Sequence, residues 1–372
     1  MGCVLRTEAV VDLGAIRDNV ATMKSGTPAE LMAVVKADAY GHGLVPCARA
    51  ALAGGATWLG TAVISECLAL RAAGIDVPLL AWLWTPGEAA DVRAAVAAGV
   101  DLSVSSTWQL DCVAAAAREL GRRARVHLKI DTGLSRNGAY VEDWPALVAA
   151  VARTDEVETI GVWSHFAYAD APGHPTIGKQ VAAFEAAVEV AERAGVGPQL
   201  RHIANSAATL TLPSAHFDLV RPGVAVYGLT PVPQVGDFGL TPAMTLRASI
   251  ALAKRVRAGE GVSYGHVYTT TRDTTLALVP LGYADGIPRN ATNVGPVSIN
   301  GERFTISGRV CMDQFVVDVG DLAVAEGDTA VLWGSGADGE PTAQDWADAL
   351  DTIHYELVTR VGPRVARTYV NG

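Results

Sequence analysis

With 372 residues, the chain is long enough for two domains or for one large barrel with an added domain. Half of the residues are hydrophobic, but no apolar run approaches the roughly 18 to 20 residues that cross a bilayer, and the opening MGCVLRTEAV lacks the segments of a secretory signal. The formal net charge of -10, with scattered basic residues, argues against nucleic-acid binding. We therefore expect a cytoplasmic protein with neither a membrane nor a nucleic-acid partner.

The cysteines give no sign of a disulfide framework or of a metal site. There are five of them, an odd number, and they are widely spaced without a CxxC pair. This pattern is typical of reduced thiols, so no metal is predicted. The cysteines are Cys3, Cys47, Cys67, Cys112 and Cys311.

Short β-rich segments alternate with alanine-rich segments up to about residue 230, at the spacing of β–α units. Eight strands are predicted: LMAVVK, TWLGTA, VPLLAW, VDLSVS, RVHLKI, TIGVWSHF, LRHIA and FDLVRPG. The predicted helices, which have apolar residues at helical spacing, include GLVPCARAALAGG, ISECLALRAAG, GEAADVRAAVAAG, STWQLDCVAAAAREL and KQVAAFEAAVEVAERAG. Eight such units predict an α/β fold with an N-terminal (β/α)8 TIM barrel.

The composition changes beyond TPVPQVGDFGLTP, where threonine, valine and glycine become more frequent. We place a linker near residues 231–241 and predict a barrel domain over residues 1–235 and a C-terminal, mainly-β domain over 236–372. Helical spacing returns only in TAQDWADALDTIHYELVTRV. The predicted strands of this domain lie in MTLRASIALAKRV, TLALVPLGY, PVSINGERFTISGRV, QFVVDV and TAVLWG.

Barrel enzymes carry their chemistry at the carboxyl ends of the strands. Several polar residues follow the predicted strands, and each of them alone fits a plain structural role. A lysine can be a solvated strand end, an arginine can form a surface ion pair, a histidine can make a core hydrogen bond, and an asparagine can cap a helix. Their convergence on one rim from five strands favours a site. The residues are Lys36, Lys129 with Arg136, His165, Asn205 with Ser206, and Arg221.

Together with the motifs around them, these residues resemble those of the alanine racemase family. Its members are fold-type-III pyridoxal phosphate (PLP) enzymes. The resemblance spans nearly the whole chain. Its motifs, in the order of the family, are VDLGAIRDNV as an opening helix, then VVKADAYGHG, HLKIDTGLSRNG, SHFAYAD, HIANSAAT, FDLVRPGVAVYG, VSYGHVY, LGYADGIPR and GRVCMDQ.

The resemblance implies that Lys36 carries PLP as an internal aldimine and that Lys36 and Tyr264 are the two catalytic bases. It implies further cofactor contacts through Tyr40, His165, Asn205, Ser206, Arg221, Gly223, Val224 and Tyr355, with Arg221 facing the pyridine nitrogen. Arg136, Met312 and Tyr283 would border the substrate, and Lys129 would be carbamylated.

The same resemblance implies an isomerase that interconverts L-alanine and D-alanine and supplies D-alanine for peptidoglycan. It also implies a head-to-tail homodimer in which Tyr264 and Met312 of one subunit complete the site of the partner. Racemisation needs two bases because the proton leaves one face of Cα and returns on the other.

The sequence leaves four other functions open. A racemase of broader substrate range and a fold-type-III PLP decarboxylase would use the same barrel. A non-catalytic PLP-carrier protein shares the barrel and its lysine but lacks a second domain. A Schiff-base aldolase normally has its lysine on a later strand.

Overall fold

The computed structural model describes residues 6–372 of the chain. These residues form two compact units. The first, the barrel unit, comprises Ile16–Ala39 and Leu44–Leu240. The second, the β unit, comprises the described residues up to Ala15 together with Tyr40–Gly43 and Thr241–Gly372.

The first strand within residues 6–372 is β1, Thr7–Asp12, in the β unit. The resemblance treated VDLGAIRDNV as helical from its first residue, and this was wrong for two residues, because Val11 and Asp12 end β1 and the helix begins at Leu13. The β-branched, alternately buried pattern of TEAVVD explains the strand, with Ala9 and Val11 fully buried.

Eight strands form the sheet of the barrel unit, and every paired neighbour is parallel. Backbone hydrogen bonds from Asp218 N to Arg201 O (3.1 Å) and from Arg221 N to Ala204 O (2.9 Å) join the two ends of the sheet and close it. The predicted (β/α)8 barrel is confirmed. Its strands are β2 Glu30–Val34, β3 Trp58–Thr61, β4 Leu79–Ala81, β5 Asp101–Val104, β6 Ala124–Lys129, β7 Val157–Trp163, β8 Leu200–His202 and β9 Leu219–Val220.

Helices connect the strands of the barrel, and several end at a glycine with positive φ, such as Gly74 (76°) and Gly99 (64°). They are Leu44–Ala53, Ile64–Ala72, Ala89–Ala97, Thr107–Glu119, Trp144–Val151, Pro175–Arg193 and Ser206–Thr211, and a further helix, Leu13–Ser25, precedes β2. None of the helices in residues 6–372 combines the length and the apolar character that spanning a membrane would need.

An apolar cluster fills part of the barrel interior. Trp82 and Leu200 pack against it. Because burying each large apolar side chain contributes about 1.5 to 3 kcal/mol, this cluster fixes the strands on which the rim residues stand. Its members are Met32, Trp58, Leu80, Ile160 and Leu219.

The β unit contains a six-stranded sheet in the order β16-β15-β18-β10-β1-β19, a three-stranded sheet β11-β14-β17 and the pair β12-β13. In the larger sheet, β1 pairs antiparallel with β10 and parallel with β19. The mainly-β character predicted for this part of the chain is confirmed. The strands are β10 Met244–Ser249, β11 Leu252–Val256, β12 Gly261–Val262, β13 Tyr268–Thr269, β14 Thr274–Val279, β15 Pro296–Ile299, β16 Glu302–Thr305, β17 Phe315–Gly320, β18 Thr329–Trp333 and β19 Ala366–Val370.

Two helices of the β unit occupy the segment for which the sequence predicted helical spacing, Ala343–Leu350 and His354–Thr359. The first is capped by Thr342, whose side chain accepts a hydrogen bond from Asp345 N while the Asp345 carboxylate accepts one from Thr342 N. This reciprocal cap satisfies two backbone donors that the helix itself leaves free.

Candidate active site

Lys36 follows β2 at the carboxyl end of the barrel and is succeeded by a left-handed turn. The four residues after it, Ala37 to Tyr40, have φ values between 53° and 54°. A left-handed conformation costs a residue with a side chain about 1 to 2 kcal/mol, so this turn is strained. Two carboxylates stabilise it: Glu66 accepts from Asp38 N (3.0 Å), and Asp38 accepts from Leu44 N (2.7 Å).

The amine of Lys36 is half-buried, and its Nζ lies 5.9 Å from the centroid of the Trp82 ring. Burial and the charge of Arg136 lower the pKa of Lys36, while the carboxylate of Glu66 opposes them. A larger fraction of this amine is therefore neutral, and thus nucleophilic, than in an exposed lysine.

Lys129 ends β6 and is 4% exposed. Its Nζ lies 4.1 Å from the centroid of the Trp163 ring. Burial, followed by the charges of Arg221 and Arg136, lowers the pKa of Lys129 to about 7. This lysine is consequently a mixture of neutral and charged forms at neutral pH.

Arg136 is exposed on the loop that follows β6. The Asp131 carboxylate shapes this loop, because it accepts hydrogen bonds from the backbone N–H groups of Gly133, Leu134 and Ser135 at 2.9 to 3.1 Å. Such an acidic turn is a local structure that Asp favours. The guanidinium therefore stands on a defined loop at the rim.

Arg221 lies just after β9 and is 4% exposed. Its Nη1 donates to His202 Nδ1 (2.9 Å), and its Nη2 donates to Ser164 O (2.8 Å) and approaches His165 Nδ1 (3.4 Å). Burial lowers the pKa of Arg221 to about 9, so it remains a cation at neutral pH. Burial and the charge of Arg221 keep the pKa of His165 well below its usual value.

The neutral state of His165 fixes its tautomer. An arginine can only donate hydrogen bonds, so His165 Nδ1 is the acceptor and Nε2 carries the proton. His165 is therefore a donor on the side away from Arg221, and the positive charge of this pair is on the arginine.

Asn205 and Ser206 follow β8. The Asn205 side chain caps the helix Ser206–Thr211 by accepting from Ala208 N (3.1 Å). The hydroxyl of Ser206 accepts from the backbone N–H groups of Gly223 (2.7 Å) and Ala225 (3.3 Å). Ser206, Gly223 and Val224 are all buried, and the Ser206 hydroxyl joins the ends of two neighbouring strands.

Four basic side chains thus stand at the carboxyl rim of the barrel unit: Lys36, Lys129, Arg136 and Arg221. Their mutual repulsion contributes to the lowered pKa values of both lysines. A bound anion, such as a phosphate or a carboxylate, would offset this repulsion. The rim is therefore suited to an anionic small molecule.

In the β unit, three of the predicted residues are exposed and lie on segments that hydrogen bonds hold together. Tyr264 is 69% exposed, Met312 53% and Tyr283 42%. The hydroxyl of Ser263 donates to Arg309 O (2.8 Å), and Tyr283 N donates to Cys311 O (3.0 Å). These bonds gather the three side chains around the segment 309–312.

Tyr40 and Tyr355 also belong to the β unit. Their ring centroids are 6.3 Å apart at an angle of 47°. Burial, with a smaller effect from Tyr355, raises the pKa of the Tyr40 hydroxyl above its ordinary value. The Tyr40 hydroxyl is therefore a neutral hydrogen-bonding group at neutral pH.

Two residues of the rim were missed from sequence. Glu66 lies in the first turn of the helix Ile64–Ala72 and stabilises the turn after Lys36. His202 contacts Arg221 from the end of β8. The signal for His202 was present, since a histidine in LRHIA interrupts an otherwise apolar run; an acid in a helical first turn is too common to have identified Glu66.

A (β/α)8 barrel with a low-pKa lysine and clustered cations at its carboxyl rim defines a class of barrel enzymes whose site takes an anionic small molecule. The sequence models that match the chain are "Alanine racemase, N-terminal domain" over residues 11–231 and "Alanine racemase, C-terminal domain" over residues 243–369. The alanine racemase of Frankia casuarinae is 62% identical over 98% of this chain and 97% of its own length.

Solved structures agree with these matches. The alanine racemase of Streptomyces lavendulae superposes with a TM-score of 0.98 at 56% identity, covering 100% of this chain and 98% of its own. The alanine racemase of Streptomyces coelicolor gives a TM-score of 0.97 at 57% identity, covering 100% of this chain and 99% of its own. The chain therefore belongs to the alanine racemase family, and it is an isomerase.

Proposed function

We propose that this protein interconverts L-alanine and D-alanine with pyridoxal phosphate as its cofactor. The observation that carries the proposal is the low-pKa amine of Lys36 among cations at the barrel rim. The alanine racemases that the chain resembles support the choice of substrate.

The residues of the rim fit this cofactor. When bound, pyridoxal phosphate supplies an electron sink for the pair that remains when the proton leaves Cα. Lys36 would attach it, since a neutral amine reacts with an aldehyde. At the ring of the cofactor, we propose contacts from His165, Asn205 and Arg221. Around its phosphate, we propose contacts from Tyr40, Ser206, Gly223, Val224 and Tyr355.

Two bases are proposed, one for each face of Cα. Lys36 accepts or returns a proton at Nζ, and its lowered pKa favours the unprotonated form. Tyr264 does the same at its hydroxyl on the opposite face. A phenol has an unperturbed pKa near 10, so its anion must be stabilised if it is to act as a base. The Nε2–H group of His165, beside the Arg221 cation, can stabilise that anion by donating a hydrogen bond.

Recognition of the substrate is proposed to depend on Arg136, Met312 and Tyr283. The guanidinium of Arg136 pairs with the carboxylate of alanine, and Met312 and Tyr283 limit the side chain to a small group. Lys129, proposed to be carbamylated, would carry a negative charge that orients Arg136.

We also propose a homodimer in which Tyr264 and Met312 of one subunit complete the site of the other. Exposed apolar side chains support an interface, because Val267 is 41% exposed beside Tyr264, and Met312 and Tyr283 lie on adjoining segments. The protein would act in the cytoplasm and supply D-alanine for peptidoglycan. Free thiols at Cys47, Cys67, Cys112 and Cys311 support a reducing compartment.

The test is racemisation in deuterium oxide. L-Alanine should lose its optical rotation with deuterium entering Cα and without pyruvate, because both bases exchange protons with solvent. Lys36→Ala should abolish the reaction, while Lys179→Ala, which removes an exposed helical lysine, should not change it. Release of carbon dioxide or accumulation of pyruvate as the main product would contradict the proposal.

A further inference from the structure

Four buried polar side chains form one hydrogen-bonded line through the interior of the barrel. Asp101, His127 and His202 are fully buried, and Arg221 is 4% exposed. Asp101 Oδ2 lies 3.1 Å from His127 Nε2, His127 Nδ1 lies 2.9 Å from His202 Nε2, and His202 Nδ1 lies 2.9 Å from Arg221 Nη1. Asp101 starts its strand, whereas Arg221 follows the end of its own, so the line runs from one end of the barrel to the other.

The chemistry of the two ends allows only one pattern of protons when both rings are neutral. Arg221 can only donate, so His202 Nδ1 accepts and His202 Nε2 carries the proton. His202 Nε2–H then donates to His127 Nδ1, and His127 Nε2–H donates to the Asp101 carboxylate. All hydrogen bonds point from the arginine to the aspartate, an arrangement in which neighbouring bonds strengthen each other.

The surrounding residues make room for this line. A Cβ on Gly161 of β7 would lie 2.5 Å from His127 Nδ1 and 3.1 Å from His202 Nε2, so only glycine leaves space for the contact between the two rings. Trp163 stacks on His202 with the ring planes at 6°, and Trp58 meets His127 edge-on. Both histidine rings are therefore held in position by packing as well as by hydrogen bonds.

At the far end of the line, a second arginine, Arg125, pairs with the carboxylate of Asp101. Arg125, whose side chain is 35% exposed, donates from Nε to Asp101 Oδ1 (2.6 Å) and from Nη2 to Oδ2 (3.1 Å). Barrel interiors are normally filled with apolar side chains, and buried polar groups are costly unless they are satisfied. Here every member of the line has a partner at each end.

We propose that Asp101 is a positioning residue that acts on Arg221 through His127 and His202. It fixes the Nε2–H tautomer of both rings, so that His202 presents a lone pair to Arg221 and holds the guanidinium in one orientation. The proposal rests on the proposed function, in which Arg221 faces the ring nitrogen of the cofactor.

Asp101→Asn tests the proposal, because an amide has one acceptor oxygen and cannot accept all three hydrogen bonds that the two carboxylate oxygens accept from Arg125 and His127. The amide oxygen should keep the shorter bond, from Arg125 Nε (2.6 Å), and the amide nitrogen should face His127, because a neutral histidine can change its tautomer to accept whereas an arginine can only donate. His127 and His202 should then both shift to Nδ1–H, which sets a donor against Arg221. Asp218→Asn is the matched control, since Asp218 pairs with Arg201 in the same barrel without contacting a histidine.

The readout is the ring nitrogen NMR spectrum of the chain's eight histidines, with and without pyridoxal phosphate. In the unsubstituted protein, His127 and His202, assigned with His127→Gln and His202→Gln, should both be neutral with Nε2–H. Asp101→Asn should convert both rings and lower kcat on the order of 10- to 100-fold, with a smaller change in KM for alanine. Asp218→Asn should change neither the tautomers nor kcat.

Two results would overturn the proposal. One is an Nδ1–H tautomer for either ring in the unsubstituted protein, a measurement that does not require the variant to fold. The other is that Asp101→Asn leaves the tautomer of His202, or the kcat, unchanged. Failure of the proposed function is distinguishable, because it would appear as absence of alanine racemisation in the unsubstituted protein whatever the tautomers are.

Discussion

Lys129 is the residue whose chemistry depends most on its surroundings. It is almost fully buried, faces the Trp163 ring and lies near two guanidinium groups, and together these bring the pKa of its amine to about 7. An exposed lysine is almost wholly protonated at that pH. A neutral amine can attack carbon dioxide, forming an N–C bond and releasing one proton, which gives the anionic carbamate proposed for this site.

We expect the carbamate of Lys129 to be visible as a ¹³C resonance when the protein is held in ¹³C-bicarbonate. The signal should grow as the pH rises through about 7, because the neutral fraction of the amine grows in that direction. Lys129→Ala should remove the signal and raise KM for alanine about tenfold, the effect of losing one hydrogen bond to a charged group. Lys179→Ala should keep the resonance and leave KM for alanine unchanged. A resonance that survives in Lys129→Ala would contradict the assignment.

The left-handed turn after Lys36 is the element that most clearly departs from ordinary backbone geometry. The first glycine of ADAYGHG is Gly41, but Ala37, Asp38 and Ala39 already have positive φ before it is reached. The carboxylates of Glu66 and Asp38 hold this conformation through backbone N–H groups. The strain of the turn is thus balanced by its neighbours in the barrel unit.

Replacing Ala37 by glycine should not destabilise the protein. Glycine adopts a positive φ without the penalty of about 1 to 2 kcal/mol that alanine has. This relief outweighs the cost of about 0.5 to 1 kcal/mol that arises because glycine has more conformational freedom in the unfolded chain. Urea denaturation should give a gain of about 0.5 kcal/mol for Ala37→Gly. Ala115→Gly, at an exposed interior position of the helix Thr107–Glu119, should instead lose about 1 kcal/mol. Equal losses in the two variants would contradict this interpretation.

The sequence predicted elements well where the pattern is local. All eight barrel strands were found because each is a short apolar, β-rich run between helical segments. Strand β1 was not found, since its pairing with β10 and β19 joins residues more than 200 positions apart. The line from Asp101 to Arg221 was missed for the same reason: three of its members lie on three strands and Arg221 follows a fourth, and only the closed sheet brings them together.

At the scale of the molecule, the two proposed bases belong to different compact units of the chain. Lys36 is in the barrel unit, and Tyr264 is in the β unit with its side chain 69% exposed. A large exposed aromatic beside other exposed apolar residues is typical of a surface that a partner covers. This supports a site shared between two subunits. The boundary placed at residue 235 stays a prediction.

The most direct test of the shared site mixes two inactive variants, Lys36→Ala and Tyr264→Phe, after dissociation and reassociation of the subunits. If Tyr264 acts in the site of the partner, each mixed dimer regains one intact site, and an equal mixture should reach about a quarter of the unsubstituted activity. Each variant alone, treated in the same way, should stay inactive. If mixing restores no activity although mixed dimers have formed, the two bases do not come from different subunits and the account is wrong.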